Sequence, residues 1–344
     1  MNLLANDERL GAQVQWQVLH CDKALRQKTS PDYDRPPAWG RHRQRMVEPA
    51  FPQQHEETAL RHFRHHFACL LMLLASAAAH AGEVFLETFR SQAIGRDYKY
   101  TIYLPDSYKS DQKNYPVLYL LHGAGGDENE WLAKGGLRET MDALIARKLI
   151  KPMIVVMPGH TAAWWVDGAK EKGETALVKE VMPHAEGKYR IDAVRGNRLI
   201  AGLSAGGFGS LNLVMKYPQM FAASAILSPA IYDPVPPGHS SGVRQPPFQK
   251  DGKFDAELWK SLNYVSHIDG YKKSGVIVPL YINSGDHDTF GIALQAAMLY
   301  ERLRLHQPGA IELRVVDGDH EWMVWRDTLG DALQFMNARI AGPK

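Results

Sequence analysis

Beyond residue 82 the chain alternates between short, predominantly apolar runs and longer segments whose apolar positions recur at helical spacing. The runs lie at 117–121, 153–157, 199–201, 223–227, 276–282 and 311–316. Runs of this length suit strands buried on both faces of a mostly parallel sheet. The segments 137–148, 177–188, 208–216, 292–305 and 328–340 are predicted helices between them. Strand–helix alternation of this kind predicts βαβ units and a doubly wound α/β domain. Ahead of the first run, residues 83–104 alternate, with Tyr98, Tyr100, Ile102 and Leu104 on one side and a turn at Gly95-Arg96-Asp97. That pattern predicts an antiparallel strand pair. One stretch breaks the rhythm. Residues 233–275 carry Pro234, Pro236, Pro237, Gly238, Pro246 and Pro247, then a helix-like segment around Leu258. They are too long for an ordinary connection and read as an insertion over one edge of the sheet, a lid or substrate cap, with an irregular loop as the alternative.

Residues 60–81 have a different character. Arg61, Arg64 and three histidines precede a 13-residue apolar run from Phe67 to Ala79, and Ala79-His80-Ala81 follows. A basic start, an apolar middle and a small-x-small end make an export signal with Gly82 as the first mature residue. The run is shorter than the ~20 residues that span a bilayer, so no stable membrane insertion is expected after cleavage. Residues 1–59 are rich in Gln, Arg and Pro and read as a disordered or over-called upstream extension, with Met46 one of several alternative starts. The expected organisation is therefore extension 1–59, signal 60–81 and a single α/β domain 82–344, secreted or periplasmic.

Composition narrows the function classes. The 344 residues are 45% hydrophobic and 23% charged, which excludes a mostly disordered, collagenous or multi-span membrane protein. Residues 82–344 hold 30 basic and 30 acidic side chains, so the domain has no electrostatic footprint for nucleic acid or anionic lipid. Both cysteines, Cys21 and Cys69, fall in the first 81 residues. The domain is left without disulfide, thiolate or Cys–metal chemistry.

Gly202-Leu203-Ser204-Ala205-Gly206 follows a predicted strand and opens a predicted helix. In that context G-x-S-x-G forms a strained elbow that lifts the serine Oγ above the sheet, and the helix N-terminus offers the Ala205 amide to an oxyanion. A phosphate-binding glycine turn is the alternative. A serine nucleophile needs a base, and the base needs an acid to orient it. Among the histidines after Ser204, His320 lies in the loop behind the last strand, where a terminal base belongs; His267 lies in the insertion and His306 at a helix end. The acid should close the preceding strand. Asp286 and Asp288 both qualify, and Asp288 leaves the loop more room to curl toward the imidazole. Asp286-His287-Asp288 as a metal site is disfavoured by adjacent ligands in one loop, so no metal or cofactor is expected. Asp319 reads as a loop or capping residue. The glycine-rich loop His122-Gly123-Ala124-Gly125-Gly126 supplies a second oxyanion amide from Ala124, or alternatively from Gly123. His122 is read as bracing that loop or touching substrate. Trp131, Trp164, Trp165 and Trp322 are candidates for the substrate wall, with ordinary packing as the alternative reading for each.

Taken with Arg96-Asp97-Tyr98-Lys99-Tyr100-Thr101-Ile102-Tyr103-Leu104-Pro105, the Gly-Leu-Ser-Ala-Gly-Gly elbow, Gly285-Asp286-His287-Asp288 and His320-Glu321-Trp322, these motifs resemble the esterase D-like family of α/β-hydrolases over 83–340. That family includes S-formylglutathione hydrolases, feruloyl esterases, enterochelin esterases and mycolyltransferases. The resemblance implies an α/β-hydrolase fold, a Ser204–His320–Asp288 triad and oxyanion amides at Ala124 and Ala205. It implies a serine esterase (EC 3.1.1.-) acting on small-molecule or polysaccharide-linked acyl or feruloyl esters. An export signal argues against the role of the cytosolic formylglutathione hydrolases, and enterochelin esterases usually carry an extra N-terminal domain, for which residues 1–81 are no substitute. A mycolyl-type acyltransferase, a serine peptidase and a non-catalytic binding module are the alternative expectations.

Overall fold

The computed structural model describes residues 81–159 and 164–341. The expected extension 1–59 and all of the expected signal except Ala81 lie outside the described residues.

Eight strands make one sheet: β1 (Glu83–Arg90), β2 (Asp97–Leu104), β3 (Val117–Leu121), β4 (Ile154–Pro158), β5 (Arg198–Leu203), β6 (Ala223–Leu227), β7 (Leu280–Gly285) and β8 (Ile311–Val316). Their order across the sheet is β1-β2-β4-β3-β5-β6-β7-β8. The expected hairpin is present, with Glu83 opposite Leu104 and Arg90 opposite Asp97. Its turn closes through the Ser91 N–H donating to the Arg96 carbonyl at 3.1 Å, with Gly95 in the left-handed region. β2 is antiparallel to β4, and the remaining neighbours are parallel.

The α-helices of six or more residues are α1 (Leu137–Ala146), α2 (Met182–Lys188), α3 (Ala205–Lys216), α4 (Ala256–Leu262), α5 (Ile268–Lys273), α6 (Ile292–Leu303) and α7 (Trp322–Asn337). They cover both faces of the sheet, as the alternation along β3 demonstrates. Leu118 and Leu120 pack in one core with Leu137 and Met141 of α1 and Leu329 and Leu333 of α7. Val117, Tyr119 and Leu121 pack in the other with Met182 of α2, Phe208 and Leu211 of α3 and Leu299 of α6. Successive side chains of a strand point to opposite faces, so a strand sandwiched between two cores must be apolar throughout.

Three elements depart from the pattern read in the sequence. α7 starts at Trp322, six residues before the expected start at Thr328, because Val324 and Trp325 continue its buried apolar stripe toward the N-terminus. β7 begins at Leu280 rather than at 276 and runs on to Gly285. Pro279, just before it, has no N–H for a ladder. The expected helix 177–188 is a π-helical segment, Ala176–Val181, leading into α2. Pro183 cannot donate to the carbonyl four residues back, and the widened turn accommodates that gap.

The 233–275 segment is ordered and dense rather than an irregular loop. It holds a two-residue hairpin, Gln249–Lys250 with Lys253–Phe254, and the helices α4 and α5. Asp251-Gly252 turns that hairpin with both residues at positive φ, the geometry a tight primed turn requires. Asp255 caps α4, its Oδ1 accepting from the Glu257 and Leu258 amides at 2.9 Å. Trp259 of α4 stacks on Phe208 of α3 at 5.3 Å, which fastens the insertion over the helix that begins at the elbow.

Candidate active site

Ser204 sits between β5 and α3 at φ 53°, ψ −114°. A non-glycine residue there is strained and persists only because its surroundings over-determine it. The Ser204 N–H donates to the Leu227 carbonyl at 2.9 Å, and its own carbonyl accepts from the Phe208 and Ala230 amides. The flanking glycines permit this closeness. A Cβ on Gly202 would lie 2.5 Å from the Gly206 carbonyl group, and one on Gly206 would lie 2.6 Å from the Leu121 and His122 oxygens. These contacts are with backbone and cannot swing aside. Gly206→Ala is therefore expected to cost about 1–3 kcal/mol or more. A thermal melt reads that loss, and ester turnover should fall further than stability, because the displaced backbone carries Ser204.

The structure brings together three residues that are far apart in sequence. His320 Nε2 lies 2.9 Å from Ser204 Oγ, and His320 Nδ1 lies 2.8 Å from Asp288 Oδ2. The Asp288 side chain is fully buried and its Oδ1 accepts the Phe290 amide at 3.0 Å. The imidazole is held edge-on between Phe290, 4.9 Å away, and Trp325, 5.0 Å away. Of the two carboxylates left open by the sequence, Asp288 is the one on the imidazole. Asp286 points out to solvent, accepting from the Gly318 amide and pairing with His287. Asp286, His287 and Asp317 form an exposed group with ligand atoms within 4.8 Å of one another, and Asp288 stands apart from it. Asp319 ties the two loops together, its Oδ1 accepting from the Thr289 amide at 2.7 Å and the His320 amide at 2.6 Å. Those two amides hold the Asp319 carboxyl below the usual carboxylate range.

Gly123 and Ala124 border the same cleft as Ser204. The loop tightens through the Gly126 N–H donating to the Gly123 carbonyl, with Gly125 at φ 76°. A Cβ on Gly123 would lie 2.7 Å from Leu203 Cδ1, so the bare backbone lies directly against the elbow. Ala205 is the first residue of α3, and a first helical amide has no intrahelical acceptor.

The cleft has a volume of about 460 Å³. Of the five side chains expected to shape it, Trp164 and Trp322 line it and three do not. Trp131 is buried behind the wall and donates to the Leu121 carbonyl at 3.1 Å. Trp165 is buried as well and donates to the His122 carbonyl at 3.3 Å. His122 is 3% exposed, with Nδ1 2.7 Å from the Gly123 carbonyl and its ring edge-on to Trp165. These three brace the glycine-rich loop instead of meeting substrate, because a large ring near a chain reversal is more cheaply buried beneath it than left in water.

Two groups of lining residues escaped the sequence reading. Tyr232, Ser240 and Ser241 bring the insertion into the cleft beside Trp164. Burial pushes the Tyr232 phenol up to about 12, so it stays a neutral hydrogen-bonding group. Trp164 is 4% exposed, stands at φ 48°, and its Nε1–H has no hydrogen-bond partner among the described residues. Trp164 lines the cleft, so this unpartnered donor is a candidate partner for a ligand oxygen. The second group is Glu130 and Lys134, beside the expected Trp322. Lys134 pairs with Glu130 at 2.7 Å and lies 5.9 Å from the centre of the Trp322 ring. The only sequence signal for that pair was its i,i+4 spacing just behind the glycine-rich loop.

A serine on a strand–elbow–helix of a doubly wound sheet, in register with a histidine and a buried aspartate from the loops after the last two strands, defines an α/β-hydrolase. The chain belongs to the Esterase family, which it matches over residues 91–336. It is 35% identical over 162 residues to an endo-1,4-beta-xylanase/feruloyl esterase of Xylanibacter ruminicola, covering 44% of this chain and 22% of that protein. It is also 35% identical over 145 residues to an esterase of Mycobacterium tuberculosis, covering 40% of this chain and 30% of that one. The chain thus spans less than a third of the length of these relatives. Among solved structures, a ferulic acid esterase superposes with a TM-score of 0.66 at 27% identity, covering 76% of this chain and all of the other.

Proposed function

We propose that this protein is an exported serine esterase that hydrolyses carboxylic esters through an acyl-enzyme on Ser204, with hydroxycinnamoyl esters of carbohydrate as its substrate class. The observation that carries this reading is the continuous relay of 2.9 Å and 2.8 Å from Ser204 through His320 to Asp288.

In the first half-reaction Ser204 Oγ attacks the ester carbonyl while His320 Nε2 takes its proton. Asp288 Oδ2 accepts the Nδ1–H, which fixes the tautomer and steadies the imidazolium. The amides of Ala124 and Ala205 receive the oxyanion, an effect worth about 3–4 kcal/mol per donor. His320 then protonates the departing alcohol, and the acyl group stays on Ser204. In the second half-reaction water gives its proton to His320 and attacks the acyl carbon; the proton returns to Ser204 Oγ as the carboxylic acid leaves.

Three observations support an aromatic, oxygen-bearing acyl group. Trp164 and Phe290 supply aromatic wall. The Tyr232 phenol and the Ser240 and Ser241 hydroxyls supply polar partners beside it, and the unpartnered Trp164 N–H is a further candidate donor. The relatives named above include proteins called feruloyl and ferulic acid esterases. Export rests on the 60–81 pattern, and among the described residues no helix is long and apolar enough to cross a membrane.

A panel of methyl ferulate, p-nitrophenyl acetate, p-nitrophenyl octanoate and acetylated xylan tests the substrate class. Methyl ferulate should give the highest kcat/KM, and a clear preference for octanoate would overturn the aromatic reading. Trp164→Phe keeps a ring but deletes the N–H. It should lower kcat/KM for methyl ferulate by about 3- to 10-fold, the worth of one neutral hydrogen bond, and leave p-nitrophenyl acetate within about 2-fold. An equal loss on both esters would mean that the indole serves packing alone.

A further inference from the structure

On the far side of the hairpin, Gly82 occupies a site with no room for a side chain. It is buried, and a Cβ there would overlap the Tyr103 ring and lie 2.7 Å from the Leu104 carbonyl oxygen. Its backbone nitrogen donates to Asp142 Oδ1 of α1 at 2.9 Å. The same oxygen accepts the Tyr103 hydroxyl at 2.7 Å, and Arg138 Nε lies 3.9 Å from Oδ2. Ala81, one residue earlier, is exposed. The Ala79-His80-Ala81 pattern places the expected export cut at the bond joining these two residues.

We propose that the Gly82–Asp142 contact is a receptor for the chain's own processed N-terminus. An export peptidase adds water across the Ala81–Gly82 bond, leaving a carboxylate on Ala81 and an ammonium on Gly82. The hydrogen bond from a neutral amide then becomes an ion pair with Asp142 and clamps the edge of the sheet, where β1 begins at Glu83. Only a glycine terminus fits against Tyr103, so the cut position and the pocket specify each other. The inference rests on the export reading and is independent of the ester chemistry.

The pH dependence follows from the pair. An α-amine titrates near 7.7–8.0 when free, and Asp142 raises that value in the folded chain. The stabilisation is complete below the free value and is lost as pH rises through the raised one. The other charged or titratable groups around the pair are Arg138, Tyr103, Asp106 and the Glu83–Lys109 ion pair. Burial keeps the Tyr103 hydroxyl protonated throughout this range.

The full-length chain is produced in a bacterium with an export pathway, and the exported and cytoplasmic forms are recovered for wild type and Asp142→Asn. N-terminal sequencing of the exported form should begin at Gly82. From pH 7 to pH 10 its Tm should fall by about 2–4 °C more than that of exported Asp142→Asn. The uncut cytoplasmic form keeps an amide at Gly82 and should lack that extra fall, a comparison that stands even if Asp142→Asn fails to fold. A terminus other than Gly82, or equal pH slopes in cut and uncut protein, overturns the proposal. Absence of any cut removes the export reading and this inference with it, whereas Ser204-dependent hydrolysis would be unaffected.

Discussion

Replacing Ser204 with alanine should lower kcat by about 10⁴- to 10⁶-fold and change KM little, the loss seen when the nucleophile of such a relay is removed. The hydroxyl's hydrogen bond runs to His320 Nε2, and the elbow is held by backbone bonds and glycine contacts that alanine leaves in place. The variant should therefore melt within a degree or two of wild type. That combination separates lost chemistry from lost structure. The activity that survives would come from the oxyanion amides and substrate binding, which the substitution does not touch. Steady-state kinetics on methyl ferulate and p-nitrophenyl acetate, with a melt on the same sample, reads both quantities. A variant that turns over within 10-fold of wild type would require a different nucleophile.

The second large effect is expected at Asp288. Asp288→Asn keeps the shape but turns an acceptor toward His320 Nδ1 into a group that can present an N–H. The imidazole would then carry its proton on Nε2, the nitrogen that must accept from Ser204. A loss of about 10⁴-fold in kcat is expected from this change of tautomer. Asp286→Asn is the matched control, two residues away, and should stay within about 3-fold. The difference has a structural cause. The Asp288 side chain is 0% exposed and lies 2.8 Å from the imidazole, whereas that of Asp286 is 46% exposed and serves the Gly318 amide. If the two variants lost activity equally, the buried carboxylate would have no special role.

Much of this arrangement could be read in the sequence because local patterns determine it. The run at 117–121 is apolar without interruption and that at 223–227 is broken only by the small Ser224, and β3 and β6 are buried at every residue. Gly202-Leu203-Ser204-Ala205-Gly206 could be read because only glycine satisfies the crossing contacts on either side of the elbow. Asp288 could be preferred over Asp286 because the curl of its loop was the deciding requirement. What escaped depended on tertiary placement. Trp131 and Trp165 are neighbours of the active loops in sequence, yet their indole N–H groups turn back to the Leu121 and His122 carbonyls and leave the cleft. Tyr232, Ser240 and Ser241 reach the cleft only because Trp259 anchors the insertion on Phe208, a contact between residues 51 positions apart that no periodicity signals. The π-helical turn at 176–181 comes from a proline seated inside an otherwise helical apolar pattern, which a count of apolar positions does not register.

The central claim is that Ser204 becomes covalently acylated during turnover. The most direct measurement is stoichiometric labelling with a fluorophosphonate, followed by intact mass and peptide mapping, with residual ester hydrolysis measured on the same sample. The account predicts one adduct per chain, located on Ser204, with activity falling in proportion to labelling and no adduct on Ser204→Ala. Full activity in a fully labelled protein, or an adduct mapped to any other residue, would contradict it.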